Sequence, residues 1–352
     1  MKRHFLLYLR SMMVLVALFL PDLLVGCQTG VSSPSASPTA TITKTATLVF
    51  KETRTPTPYP PGSPENPLIL GLVSPSPDKV SVDSANQLAK KLADFSGYTI
   101  FQHIYPTYPD LLEMMQQGRV HIAFLPPLTY ILANEKGIAE VGLLTNHYGV
   151  YQYGLQFLAN KNSNFTPYYD PVTGLSTAGA DQALQQFAGK RPCFVEPTSP
   201  SGFIIPTGLL IQNRIPFLDP VITQSHIAVI RALYIRDICD FGVTFAISGD
   251  PRTSSALNDL PDVKNQVPIV WLSDPMVPST NLSFVPDLRD DIRQNMTTVF
   301  QDLVHTEDGK QLLSKATNYD IQDMKPIADE VYDPLRLTIF YASVDLETLV
   351  GK

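Results

Sequence analysis

From residue 67 onward, apolar and polar positions fall into two alternating kinds of block. Short, nearly unbroken apolar runs predict buried strands at PLILGLV (67–73), YTIFQHIY (98–105) and VHIAFL (120–125). Between them the spacing becomes helical. In VSVDSANQLAKKLADFSG the residues Val82, Ala85, Leu88 and Leu92 share one face, and Gly97 supplies a stop. YPDLLEMMQQGR (108–119) predicts a helix with Pro109 and Asp110 in its first turn, and PLTYILANEKG (127–137) predicts another. Strand and helix alternating at this spacing predict an α/β fold built on a parallel sheet.

The pattern then restarts. YQYGLQFLANKNS (151–163) reads as a longer strand leading away. A second strand–helix series follows: the strand RPCFVEP (191–197), the apolar-striped helix HIAVIRALYIRD (226–237) and the strand CDFGVTFAI (239–247). VPIVWLSDPMVP (267–278) is strand-like, and the tail beyond 287 is helical. Two extended crossings, near 150–165 and 267–285, predict two lobes with a cleft between them. Residues 67–155 plus 280–352 form lobe 1 and residues 156–279 form lobe 2. Open α/β sheets bind ligands beyond the carboxyl ends of their strands, and here those ends would face each other across the cleft.

The first 66 residues carry no such pattern. Lys2, Arg3 and Arg10 precede the apolar run MMVLVALFL (12–20), and LVGC (24–27) resembles a bacterial lipobox. This predicts a signal peptide over 1–26, a diacylglycerol on Cys27 and an extracytoplasmic chain anchored to the cell membrane by lipid. A plain secretory signal with an incidental cysteine is the other reading. Residues 27–66, rich in Ser, Thr and Pro, predict an extended tether. The remaining cysteines, Cys193 and Cys239, lie in no metal-binding spacing, and export leaves both a bridge and two free thiols open.

Chemistry narrows the function. The net charge is −7 with no basic stripe, which argues against nucleic acid as a partner. The histidines His103, His121, His147, His226 and His305 are scattered, without a metal spacing. The sequence contains no G-x-x-x-x-G-K-[ST] loop and no G-x-S-x-G elbow, so neither catalysis, a metal nor a cofactor is expected. The stretch EPTSPSG (196–202) stands out. As a helix opening it would place Ser199 at the N-cap and Pro200 at the first helical position. Ser201 would add a hydroxyl and an amide, and Gly202 would let a ligand approach the backbone. Such an end can hold an oxyanion without a lysine, although serine followed by proline opens helices of any kind. Thr129, at the start of a helix after Pro126 and Pro127, is a weaker candidate for the opposite side.

These motifs resemble, in order and spacing, the phosphate/phosphite/phosphonate-binding proteins of ABC importers, which have the two-lobed periplasmic-binding-protein type II fold. The likeness runs from about residue 67 to 334. It is carried by GLVSPSP, TYPDLLEMMQQGRVHIAFLPPLTYILA, EPTSPSGFIIP, SHIAVIRALYIRDICDFG, VWLSDPMVPSTNLSF and VYDPLR. The resemblance implies a small oxyanion as ligand, an ABC permease as partner and a monomer. It also implies ligand contacts from Tyr108, Tyr153, Ser199, Ser201, Gly202 and His226, with Tyr148 and Tyr151 as alternative registers for Tyr153. An extracytoplasmic sensor, or an enzyme on the same fold, are the rival readings. Two departures bear on the ligand. Pro200 stands where the family commonly has threonine, which removes a hydroxyl and an amide. Phe245 stands where binders of amino-substituted phosphonates place an aspartate, which makes an aminoalkylphosphonate a poor ligand.

Overall fold

The computed structural model describes residues 59–351; the expected signal, Cys27 and the tether up to residue 58 lie outside the described residues. The predicted alternation appears in the first sheet. Strands β1 (Leu68–Val73), β2 (Ile100–Tyr105) and β3 (Ile122–Leu125) run parallel, with β1 in the middle. Helices α1 (Lys79–Ser96), α2 (Tyr108–Gln116) and α3 (Pro127–Glu135) follow them in turn. Ala85, Leu88 and Leu92 of α1 are fully buried, and Gly97 closes the helix in the left-handed conformation that glycine adopts without strain.

Three strands that the apolar pattern did not single out complete this sheet, so it is mixed rather than wholly parallel. They are β4 (Glu140–Asn146), Asn281–Phe284 and Asp323–Pro326. Asn281–Phe284 pairs antiparallel with both β3 and β4, and Asp323–Pro326 pairs antiparallel with β4. The direction follows from the connectivity: the chain re-enters the sheet from the other half and therefore runs against β3.

The second sheet is ordered Ile269–Leu272, β5 (Gln152–Ala159), Phe241–Ala246, Pro192–Phe194 and Val221–Ile222. It too has a parallel part, around Pro192–Phe194, and antiparallel pairs flanking β5. A disulfide joins Cys193 to Cys239, tying the strand Pro192–Phe194 to the turn before its neighbour. Crossings between the sheets are tighter than the sequence pattern implies. The chain leaves between Asn146 and Gln152 and returns between Pro278 and Asn281, and Val277 and Pro278 pair antiparallel with Tyr153 and Gln152. Two strands lying side by side thus connect the halves.

The C-terminal helices pack on both halves. Glu307–Thr317 lies against α1, whereas Asp333–Ala342 lies against Ile205–Gln212 and Leu346–Val350 against α3. Gly208 marks the second contact: a β-carbon there would sit 2.1 Å from the Thr338 carbonyl oxygen.

Candidate functional site

The carboxyl ends of β1, β2 and β3 open onto a cavity of about 1270 Å³ between the two sheets. Tyr108, Tyr153, Ser201, His226, Phe245 and Tyr319 all line it. Among the described lining residues none is Lys or Arg, and Asp250 is the only carboxylate. A negatively charged guest would therefore be held by neutral donors and by imidazole.

The turn at 199–204 shows how the sequence builds such donors. Ser199 caps it, its Oγ accepting from the Gly202 amide at 3.2 Å. The amides of Phe203 and Ile204 both donate to the Ser199 carbonyl at 3.1 Å, which widens the first turn to a π-helical one over Pro200–Ile204 before the α-helix Ile205–Gln212 begins. Pro200 has no N–H. The amide of Ser201 has no acceptor among the described residues. Pro200 and Ser201 face the cavity; Ser199 and Gly202 do not line it. The expected role of Gly202 in ligand approach gives way to packing, since a β-carbon there would lie 2.2 Å from Val195 Cγ2. Ser199 acts as the cap that presents Ser201.

His226 opens the helix His226–Ile235, which Ser225 caps. Its Nε2 lies 3.5 Å from Ser201 Oγ, and its Nδ1 is buried without a partner. Burial lowers its pKa, and Glu196 opposes that shift. The Phe245 ring meets the imidazole edge-on at 5.0 Å, so the position that would face an ammonium group carries an apolar wall.

Tyr108 sits at the start of α2, behind the cap Thr107. Burial, reinforced by Tyr319, pushes its phenol up to about 12, so it remains a neutral donor. Burial and Tyr319 also raise Tyr153, while the Ser201 hydroxyl opposes them. The crossing tyrosines differ in their surroundings. Tyr151 spends its hydroxyl on Asp323, Tyr148 is an exposed residue of the cavity wall, and Tyr153 lies within β5. Thr129 is buried in the first turn of α3 and does not line the cavity; Pro126 and Pro127 do so instead. Sequence reasoning did not find Tyr319 or Asp250. Each follows an element far along the chain and carries no motif.

A family model described as "ABC transporter, phosphonate, periplasmic substrate-binding protein" matches residues 70–332. The chain belongs to this family. Members of this phosphonate transporter family are substrate-binding proteins that act outside the cytoplasm, not enzymes, and the mixed two-sheet architecture is that of the type II periplasmic-binding-protein fold. The phosphate-import protein PhnD of Mycolicibacterium smegmatis is 29% identical over an alignment of 182 positions that covers 47% of this chain and 50% of that protein. The chain thus spans about half the length of this curated relative. Among solved structures, XAC2383 from Xanthomonas citri bound to ATP aligns with a TM-score of 0.54 at 16% identity, covering 78% of this chain and 96% of that one. Its chloride-bound form gives 0.53 at 15% identity, covering 78% and 97%. At these identities the likeness is one of fold alone. Among the described residues no helix is long and apolar enough to cross a membrane.

Proposed function

We propose that this chain is the substrate-binding lipoprotein of an ABC importer and that it captures phosphate, phosphite or a phosphonate in the cavity between its lobes. The observation that carries the reading is the convergence of Ser201, His226, Tyr108 and Tyr153 on one cavity whose described lining contains no Lys or Arg. The Ser201 amide and hydroxyl and the imidazole form the fixed side, on lobe 2. Tyr108 is presented from lobe 1, and Tyr153 lies where the crossing strands meet. The phosphate-import relative supports a phosphorus oxyanion.

The cavity exceeds the ~300–1,000 Å³ typical of small-ligand sites. Closure of the lobes about the paired crossings at 147–151 and 279–280 would shrink it, exclude water and strengthen each hydrogen bond. The closed form would then dock on a membrane permease, with Cys27 carrying the lipid and residues 27–66 the tether. Phe245 disfavours an aminoalkylphosphonate, because an ammonium group would lose its water against an aromatic ring edge.

A thermal-shift screen over phosphate, phosphite, sulfate, methylphosphonate, ethylphosphonate and 2-aminoethylphosphonate tests the reading. One or more of the phosphorus anions without an ammonium group should raise the melting temperature, and 2-aminoethylphosphonate should give the smallest shift of the phosphonates. No shift with any phosphorus anion would contradict the proposal.

A further inference from the structure

Beside Phe245 the cavity wall has a stretch with different chemistry. The strand Phe241–Ala246 ends there, and the chain turns through Ser248, Gly249 and Asp250. A β-carbon at Gly249 would lie 3.5 Å from Phe245 Cε2, and the same ring meets His226 edge-on at 5.0 Å. One aromatic ring thus neighbours both the imidazole and this turn. Ser225, Ser248, Asp250 and Ser254 line the same cavity.

The state of Asp250 decides what this stretch of wall can recognise. Its Oδ1 accepts from Gln156 Nε2 at 3.2 Å and from the Arg252 amide and Nε, each at 3.0 Å. Its Oδ2 accepts from Arg252 Nη2 alone, at 2.9 Å. The Arg252 side chain is only 9% exposed, and its Nη1 is fixed on the Val267 carbonyl. The charge of the carboxylate is thus already balanced by a buried guanidinium, yet one oxygen keeps a lone pair for another donor. A paired carboxylate of this kind adds little attraction for a cation but still accepts from a neutral O–H. Ser225 and Ser254 use their oxygens to accept from the amides of Ala228 and Ala256, which leaves their hydroxyl protons to donate. Ser248 supplies a third hydroxyl, and Phe245 supplies an apolar face for the carbon skeleton.

We propose that this stretch of cavity wall, from Phe245 to Ser254, is a subsite for a hydroxylated organic group, so that the preferred guest is a phosphorus oxyanion bearing a polyol substituent. The inference rests on the reading of Ser201 and His226 as the anion site. It separates a hydroxyl-bearing guest from both the alkyl and the ammonium-bearing ones.

The test is calorimetric titration of the chain with sn-glycerol 3-phosphate and with n-propyl phosphate, which differ only in hydroxyl groups, and with methylphosphonate as a reference. The glycerol ester should bind at least about ten-fold tighter than the propyl ester, because a site built to pair hydroxyls rejects the analogue lacking them. The Ser248→Ala/Ser254→Ala double variant should lose most of that margin while binding methylphosphonate as the parent does. Ser248→Ala alone, which removes no helix cap, should lose part of it. Equal binding of the two esters, or a margin that survives both variants, overturns the subsite and leaves the anion site standing. Binding of none of the three compounds overturns both.

Discussion

Ser201 Oγ stands 3.5 Å from His226 Nε2, across the gap between the turn at 199–204 and the helix His226–Ile235. That is too long for a strong hydrogen bond, and both groups keep capacity for a guest. Burial already holds the imidazole below its ordinary value of 6.5. An oxyanion beside it favours the cation and raises the pKa, so binding takes up a proton in the mildly acidic range and tightens as pH falls toward it. Nuclear magnetic resonance titration of His226 should give a pKa below 6.5 in the free protein and an upward move with saturating methylphosphonate. No upward move would separate His226 from the anion.

Tyr108 and Tyr153 are kept neutral by burial and lie on different elements, α2 and β5. A hydrogen bond to a charged group contributes about 1.5–3 kcal/mol. Tyr108→Phe and Tyr153→Phe should each weaken methylphosphonate binding by roughly ten-fold or more. Little change is expected in the melting temperature of the free protein. Calorimetry and thermal denaturation of the same samples check both halves of this prediction.

Acid should destabilise the fold through a histidine outside the cavity. His121 Nδ1 accepts the Ile69 amide at 3.0 Å, and burial lowers its pKa from 6.5. Protonation of Nδ1 would break that bond. The folded pKa lies below the unfolded one, so the stabilisation is present above 6.5 and is lost as pH falls from there through the folded value. His226, lowered in the same direction, adds to the slope. His121→Asn, which keeps an acceptor, should flatten the fall in melting temperature below pH about 6.5. An unchanged slope would mean that His121 does not titrate in this range.

The bridge between Cys193 and Cys239 closes a long loop, with a sequence separation of 46. Restricting the unfolded chain in this way contributes about 4 kcal/mol in the chain-entropy model. Cys239→Ser should lower the melting temperature by several degrees. Retention of methylphosphonate binding in the folded fraction is expected, because neither cysteine lines the cavity.

How much of this was legible in the sequence depended on whether a signal was local. The α1 stripe of Ala85, Leu88 and Leu92, the stop at Gly97 and the Pro109–Asp110 entry to α2 each act within a few residues, and all appear where their pattern puts them. Strands Asn281–Phe284 and Asp323–Pro326 are defined by partners far away in the chain, β3 and β4, and their short runs give no period to read. Tyr319 and Asp250 reach the cavity through tertiary packing alone. Gly202 shows the opposite case: the residue type was informative, but close packing and ligand approach both require glycine, and only the position of Val195 decides between them. The family motif pointed to Ser201 and His226, and the fold explains why these two, rather than Ser199, line the cavity.

The most direct test is a calorimetric titration of methylphosphonate, phosphite and phosphate into the parent chain and into Ser201→Ala. Ser201 presents the amide without an acceptor and the hydroxyl nearest His226, and the substitution leaves the Ser199 cap intact. The account predicts saturable binding of at least one of these anions to the parent and a loss of about ten-fold or more in the variant. Binding that is equally tight in both, or absent from both, would contradict it.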